Sequence, residues 1–253
     1  INDFRDFLLI KNDANYKSEM EPLIKWGIDN FEKYGFNVDI LETPELPLLL
    51  ASKIVSEKAK TILIFLQFDV QPFDISKWKQ EDPYKAVLKE KINEKYEIID
   101  WDTLKDIKME DIIEKDLRIF ARSSSDAKGP VMMMLSALEI MKRNDIKLEY
   151  NVKVIMDFEE EISSPNLAAA VKKYSSKLKS DALFIFDGPK HPSNLPTLTF
   201  GARGISDITL ITYGPIVPQH SGHFGNYAPN PVFRMSEILS SMKDKDGRVV
   251  IDG

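Results

Sequence analysis

The sequence predicts an α/β fold in which a mostly parallel sheet is sandwiched by helices. Three short apolar runs support this prediction: residues 61–66 (TILIFL), 151–158 (NVKVIMDF) and 182–186 (ALFIF). Continuous apolar runs of this length are typical of strands that are buried on both faces, as in a parallel sheet. Helical patterns separate the three runs, and this alternation is typical of a parallel α/β sheet.

The other elements are predicted from the same kinds of pattern. Further strands are predicted over residues 36–40, 48–55 and 117–121, and helices over residues 17–34, 129–141 and 165–177. The helix that Gly129 and Pro130 open is apolar nearly all round from Val131 to Met141, so we expect it to be well buried. Residues 73–116 are polar and highly charged, and they predict a long excursion from the sheet with some local structure.

The pattern changes after about residue 200. Residues 205–213 alternate between polar and apolar side chains, which predicts a strand with one solvated face. Residues 231–242 predict a further amphipathic helix. We therefore expect one α/β domain over residues 1–200 and the beginning of a smaller α+β domain over residues 201–253.

Composition excludes several classes of function. The 253 residues carry 34 basic and 40 acidic side chains and a formal net charge of −6, which argues against a nucleic acid or an anionic membrane as the main partner. No stretch approaches the roughly 18 apolar residues that a membrane span needs. The chain has no cysteine, so disulfides, thiolate zinc sites and cysteine nucleophiles are excluded. This composition fits a cytosolic protein and an exported one whose signal has been removed, and the compartment stays open.

Polar and acidic residues follow four of the predicted strands. They are Gln67 and Asp69, then Asp126, then Glu159–Glu161, and finally Asp187. Open α/β sheets bind ligands at the carboxyl ends of their strands, so we expect these groups at one edge. Any one of them could be a helix cap or a solvated loop residue, and Asp126 in particular precedes a helix. The same feature after four strands favours a site for divalent cations, because gathered carboxylates repel each other without a positive charge.

Several sequence blocks occur in the order of a known family. They are FDVQP (68–72) with Trp78 and DPY (82–84), RSSSDAKGP (122–130), EEEIS (159–163), Asp187, RG (203–204), HSG (220–222) and NP (230–231). On these blocks the chain resembles the carnosinase-like zinc dipeptidase family of two-zinc peptidases, which includes aminoacylases and amino-acid deacylases. The resemblance extends from about residue 16 to residue 253 and identifies the start of a catalytic domain and of a lid domain.

The resemblance implies a role for each matching residue. Asp126 matches the carboxylate that bridges the two metals, and Glu161 and Asp187 match terminal ligands. Glu160 matches the general base, and Asp69 matches a residue that orients the first metal ligand. His220 matches a lid histidine that reaches the site of another subunit and steadies the developing oxyanion.

The chain departs from the family pattern at the expected active edge. Gln67 stands where the family has a metal-binding histidine, and an amide oxygen is a weaker zinc ligand than imidazole. Ala127 stands where the family has a second acid. The only histidines are His191, His220 and His223. His191 follows Asp187 by four residues and could replace a missing ligand, although an exposed loop histidine is the simpler interpretation.

The resemblance implies a metal-dependent hydrolase that cleaves an amide or peptide bond of a small substrate with metal-activated water. The expected substrate is a small peptide or an N-acyl amino acid, and the expected cofactor is two Zn²⁺, with one ion, none, Mn²⁺ or Co²⁺ as alternatives. The lid domain is expected to pair two subunits into a homodimer. Gln67 and Ala127 leave a second hypothesis open, a catalytically degenerate homologue with a binding or structural role.

Overall fold

The structure is a computed structural model that describes residues 1–188, 191–193 and 195–251. The chain folds as two units, Ile1–Lys190 and His191–Gly253. The helices of the described residues are α1 (Asn2–Leu9), α2 (Glu21–Glu32), α3 (Met109–Glu114), α4 (Lys128–Arg143), α5 (Leu167–Lys173), α6 (Ser175–Leu178), α7 (Ser221–Phe224) and α8 (Pro231–Ser241). The strands are β1 (Asn37–Leu41), β2 (Leu48–Lys53), β3 (Thr61–Gln67), β4 (Val87–Ile92), β5 (Lys95–Ile99), β6 (Arg118–Phe120), β7 (Asn151–Asp157) and β8 (Ala182–Ile185).

Five of these strands form the main sheet of the first unit, in the order β1-β2-β7-β3-β8. Strand β3 pairs in parallel with β7 and β8, whereas β2 pairs antiparallel with β1 and with β7. The α/β class is therefore confirmed, and the sheet is mixed because the β1–β2 hairpin forms an antiparallel edge. The parallel register sets Gln67 opposite Asp157, so the carboxyl ends of β3 and β7 lie side by side.

The charged excursion forms a second sheet of three antiparallel strands, in the order β5-β4-β6. This sheet corrects the prediction that four strands deliver acidic groups to one edge, since β6 pairs with β4 and not with the main sheet. Residues 85–120 can pair among themselves because two tight-turn residues, Asn93 and Glu94, adopt positive φ between β4 and β5. Asp126 is consequently presented by the loop between β6 and α4.

Helices cover both faces of the main sheet. On one face, α1, α2 and α4 bury an apolar cluster against the strands, which includes Phe7, Leu23, Phe31, Leu66, Phe68, Val131, Val154 and Met156. On the other face, α5 and α6 pack on a smaller cluster, which includes Leu50, Leu63, Ile155, Ala170 and Leu178. The continuous apolar runs in β3 and β7 are explained by this arrangement, because side chains of both strands are buried on both faces.

Two burial predictions are wrong. Strand β8 is an edge strand, and Leu183, Phe184 and Ile185 are exposed by 56%, 41% and 60% rather than buried. Helix α4 buries one side only, since Met133 and Ile140 are exposed. Apolar composition alone therefore overstated how completely these two elements are covered.

Helix boundaries differ from the predicted ones for local reasons. Helix α2 begins at Glu21 rather than at residue 17 because Pro22 occupies its first turn. The helix predicted over residues 165–177 is broken at Tyr174 into α5 and α6. Helix α1 was not predicted, although Phe7 and Leu8 are fully buried on one side of it.

The second unit contains α7 and α8 within its described residues. Helix α8 confirms the helix predicted over residues 231–242, and Asn230 caps it by accepting a hydrogen bond from the Val232 N–H at 2.9 Å. The strand predicted over residues 205–213 is not formed, and Ile205 is 94% exposed. A strand needs a partner for its backbone groups, and the described part of this unit offers only the isolated bridge between Lys243 and Val249.

Over the described residues, no helix combines the length and the hydropathy that crossing a membrane requires.

Candidate active site

Four predicted acidic residues, Asp69, Asp126, Glu160 and Glu161, lie near the carboxyl ends of β3 and β7. Gln67 is the last residue of β3, and its side-chain amide donates a hydrogen bond to Asp126 Oδ1 at 2.6 Å. This contact brings the loop before α4 to the carboxyl edge of the sheet, although β6 belongs to another sheet. The edge thus collects side chains from three separate segments of the chain.

Asp69 holds the turn that follows β7. It is fully buried, and its two carboxylate oxygens accept hydrogen bonds from the backbone N–H groups of Glu160, at 3.1 Å, and Glu161, at 2.9 Å. Burial raises the pKa of Asp69 to about 7, and these backbone donors act against that rise. The resemblance implied that Asp69 orients the side chain at position 67. In the structure its hydrogen bonds instead fix the backbone that carries Glu160 and Glu161.

A second buried carboxylate shapes the same turn. Asp157 accepts hydrogen bonds from the Glu159 N–H at 2.9 Å and from the Ser164 hydroxyl at 2.7 Å. The backbone reverses here through positive φ values at Ser163 (73°) and Ser164 (43°). The Asn166 amide donates to Glu159 Oε2 at 2.9 Å, so Glu159 is part of this support. Sequence reasoning missed this role of Asp157 because it was assigned to the strand.

Glu160 and Glu161 face the cluster with partly exposed side chains. Burial, and after it the charges of Asp187, Glu161 and Asp126, together raise the pKa of Glu160 to about 7. Burial likewise raises the pKa of Glu161, while a hydrogen bond from Gln71 at 2.7 Å lowers it. The four carboxylates are therefore close enough to repel one another, and the positive charge of Arg122 partly offsets this repulsion at Glu161.

The divalent metal that the resemblance implies would need oxygen donors at this edge of the sheet. Oxygens of Asp126, Glu161 and Asp187 are hard ligands, and their mutual repulsion is the condition that a divalent cation relieves. Gln67 is 3% exposed, and its Oε1 is buried without a hydrogen-bond partner, as is typical of an oxygen that needs a cation or a donor. The chemistry of these groups fits a hard divalent cation. Within residues 1–188, 191–193 and 195–251, however, no three acidic or histidine side chains are arranged in ligating geometry.

Three predicted residues lie outside this hydrogen-bonded cluster. Asp187 is exposed at the end of β8, and its Oδ1 accepts only the N–H of Gly188, at 2.6 Å, among the hydrogen bonds of the described residues. His191 is engaged locally with the Ser193 hydroxyl at 2.7 Å, which supports its interpretation as a loop histidine. His220 belongs to the second unit, where its Nδ1 accepts the Gly222 N–H at 3.1 Å and caps α7.

Comparison with known protein families matches residues 99–223 to the model of peptidase family M20/M25/M40. The Cys-Gly metallodipeptidase dug1 of Schizosaccharomyces pombe is 27% identical over 96% of the chain and 48% of its own length. The Beta-Ala-His dipeptidase of Homo sapiens is 22% identical over the whole chain and 48% of its own length. The chain thus spans about half the length of the curated relatives it matches.

Solved structures agree with this assignment. The M20 family metallo-carboxypeptidase Sso-CP2 from Sulfolobus solfataricus superposes with a TM-score of 0.71 at 25% identity, covering the whole chain and 51% of the other. Human carnosine dipeptidase 1 superposes with a TM-score of 0.63 at 20% identity over the same shares, which shows the fold. The chain is therefore similar to peptidase family M20/M25/M40 over residues 99–223, and it resembles carnosinase-like dipeptidases over nearly its whole length.

Proposed function

We propose that this chain provides the catalytic and metal-binding carboxylates of a metal-dependent hydrolase that cleaves the amide bond of a small peptide or N-acyl amino acid. The observation that supports this most is the convergence of Glu160 with Asp126, Glu161 and Asp187 at the carboxyl edge of the main sheet. Relatives that are named for Cys-Gly and Beta-Ala-His dipeptides support a substrate of that size.

Glu160 is the proposed general base. A carboxylate whose pKa lies near 7 can accept a proton at neutral pH and return it. In the proposed reaction Glu160 takes a proton from water as the water oxygen bonds to the carbonyl carbon. It then delivers that proton to the amide nitrogen as the C–N bond breaks.

Asp126, Glu161 and Asp187 would hold a divalent cation, which supplies Lewis-acid activation of water and of the substrate carbonyl when bound. Zn²⁺ is the proposed ion, by similarity to the family, with Mn²⁺ or Co²⁺ as alternatives. Two ions are the family expectation. Gln67 cannot supply the imidazole that a zinc pair would use at its position, so the site adjoining Gln67 is the weaker one.

Two further roles belong to this proposal. Asp69 and Asp157 hold the turn that presents Glu160, and neither touches the reacting atoms. His220 would stabilise the oxyanion across a homodimer formed through the second unit. The hydrogen bond from Gly222 to His220 Nδ1 leaves the other ring nitrogen, Nε2, as the donor for such a contact.

The second candidate function is a catalytically degenerate homologue that binds but does not hydrolyse. It is favoured by the hydrogen bond between Gln67 and Asp126, which engages one oxygen of the proposed bridging carboxylate. It is also favoured by Ala127, which is buried and carries no ligand atom.

Metal content and hydrolysis together test the proposal. The purified protein is dialysed against trace Zn²⁺ and Mn²⁺, its metals are counted by elemental analysis, and hydrolysis of Cys-Gly and β-Ala-His is measured. We expect bound metal, and hydrolysis that Glu160→Gln reduces by about 10²- to 10⁴-fold. The control Glu97→Gln, on the exposed hairpin, should leave the rate unchanged. A folded protein without metal would overturn the hydrolase, and bound metal without hydrolysis would favour the degenerate homologue.

A further inference from the structure

The loop that displays Asp126 is anchored at both of its ends to the first residues of the chain. This loop, Ser123–Lys128, is closed by a hydrogen bond from the Lys128 N–H to the Ser123 carbonyl at 3.0 Å. Ser123 adopts a positive φ of 67°, which a serine holds only when its surroundings fix it. The anchors at Ser123 and at Lys128 therefore determine where Asp126 lies.

Asn12 is the anchor at the Ser123 end. Its side chain is fully buried, and its Nδ2 donates to the Ser123 hydroxyl oxygen at 2.8 Å and to the Phe68 carbonyl at 2.8 Å. Phe68 immediately precedes Asp69, which holds the turn of Glu160. One amide thus joins the loop of Asp126 to the segment that supports the general base.

Lys128 is the anchor at the other end. Its side chain is fully buried, and its ammonium donates to the carbonyls of Phe7 at 2.9 Å, Leu8 at 3.4 Å and Ile10. These carbonyls lie at the carboxyl end of α1, where backbone acceptors lack partners within the helix and the helix dipole favours a cation. The ammonium also lies 5.0 Å from the Phe7 ring centroid. Over the described ranges no carboxylate pairs with it, and the Tyr84 ring, whose centroid lies 5.8 Å away, also faces the charge.

We propose that Asn12 and Lys128 are positioning residues that clamp the Asp126 loop against the segment 7–12, and that this N-terminal clamp sets the distance between Asp126 and the Glu160 turn. Its consequence for turnover rests on the proposed hydrolase.

Hydrogen–deuterium exchange of the whole chain tests the clamp without any need for activity. Asn12→Ala removes two hydrogen bonds, and we expect amides in residues 121–130 to exchange about tenfold faster while β7 is unchanged. Lys128→Met should have the same local effect. Lys153→Met is the matched control, because its ammonium also donates to two carbonyls, those of Lys177 at 2.6 Å and Lys179 at 2.9 Å, but near the amino end of β7.

Three results would overturn the clamp: unchanged exchange over residues 121–130 in Asn12→Ala, equal acceleration in β7, or the same effect from Lys153→Met. If Lys128→Met does not fold, Asn12→Ala decides alone. In an active preparation, Asn12→Ala should lower kcat about tenfold with little change in KM, whereas a general loss of stability would reduce the active fraction without a specific rise in exchange at the loop. If the wild type hydrolyses nothing, the proposed function fails and the exchange result still decides the clamp.

Discussion

Replacing Asp69 by asparagine should loosen the turn that carries Glu160 and Glu161. The carboxylate accepts one backbone hydrogen bond on each oxygen, at 3.1 and 2.9 Å. Asparagine keeps one acceptor and turns an NH₂ group toward the other backbone N–H, which is left buried and unpaired. Such a loss costs about 1–3 kcal/mol, more when the lost acceptor is charged.

Part of this cost is offset. Burial raises the pKa of Asp69 to about 7, so keeping its charge already destabilises the fold at neutral pH, and asparagine removes that burden. We therefore expect Asp69→Asn to unfold at lower urea concentration, by about 1–2 kcal/mol in the free energy of unfolding. Displacement of Glu160 should also lower the rate of dipeptide hydrolysis by about tenfold or more.

The assay is urea unfolding followed by far-UV circular dichroism, with hydrolysis measured on the same samples. Asp181→Asn is the control, because Asp181 also accepts a backbone N–H, that of Thr61 at 2.8 Å, but at the opposite end of β3 and with its side chain half exposed. It should change stability by less than about 1 kcal/mol. If Asp69→Asn is as stable as this control and as active as the wild type, Asp69 does not hold the turn as argued.

Three further substitutions test other parts of the site. Gly129→Ala would place a Cβ 2.6 Å from the backbone carbonyl oxygen of Ser124, so the loop before α4 must shift. We expect a loss of about 1–3 kcal/mol in thermal unfolding, against no effect of Gly204→Ala, whose Cβ meets nothing within 4 Å. Gln67→His should increase bound Zn²⁺ per chain in elemental analysis, because imidazole is the better ligand, and an unchanged metal count would contradict this argument. Gln67→Met removes an unpaired buried oxygen along with one hydrogen bond, so its midpoint in urea should stay within about 1 kcal/mol of the wild type, and a larger loss would show that the amide is needed for folding.

The sequence predicted best those elements whose pattern depends only on burial. Strands β3 and β7 were expected from their continuous apolar runs, and both lie centrally in the main sheet. The prediction placed β6 in the same sheet because an apolar run does not identify its partner. Strand β6 pairs instead with β4, which precedes it in the charged segment, and the sequence pattern did not indicate this pairing.

The sequence indicated candidate residues for the site but none of the contacts that hold them. Strand ends indicated Glu160 and Glu161, because parallel strands bring their carboxyl ends together, whereas Asp126 follows β6 of the second sheet and reaches the edge through its contact with Gln67. The supporting contacts of Asn12 and Lys128 could not be predicted, since each joins segments more than 50 residues apart through a single buried polar group. In the sequence Lys128 is only a lysine beside Gly129 and Pro130 at the start of an apolar helix, and this pattern does not indicate its burial or its partners.

Strand β8 has a consequence for handling the protein. It lies at the edge of the main sheet, and its Leu183, Phe184 and Ile185 side chains are exposed. A second copy of the chain can therefore pair with this edge as an additional strand. Charged residues and prolines usually protect edge strands against such aggregation, and the four residues of β8 include neither. Light scattering of the isolated chain should therefore increase steeply with concentration. The substitution Leu183→Lys should suppress that increase in light scattering, because a charge on the edge strand opposes pairing with a second copy.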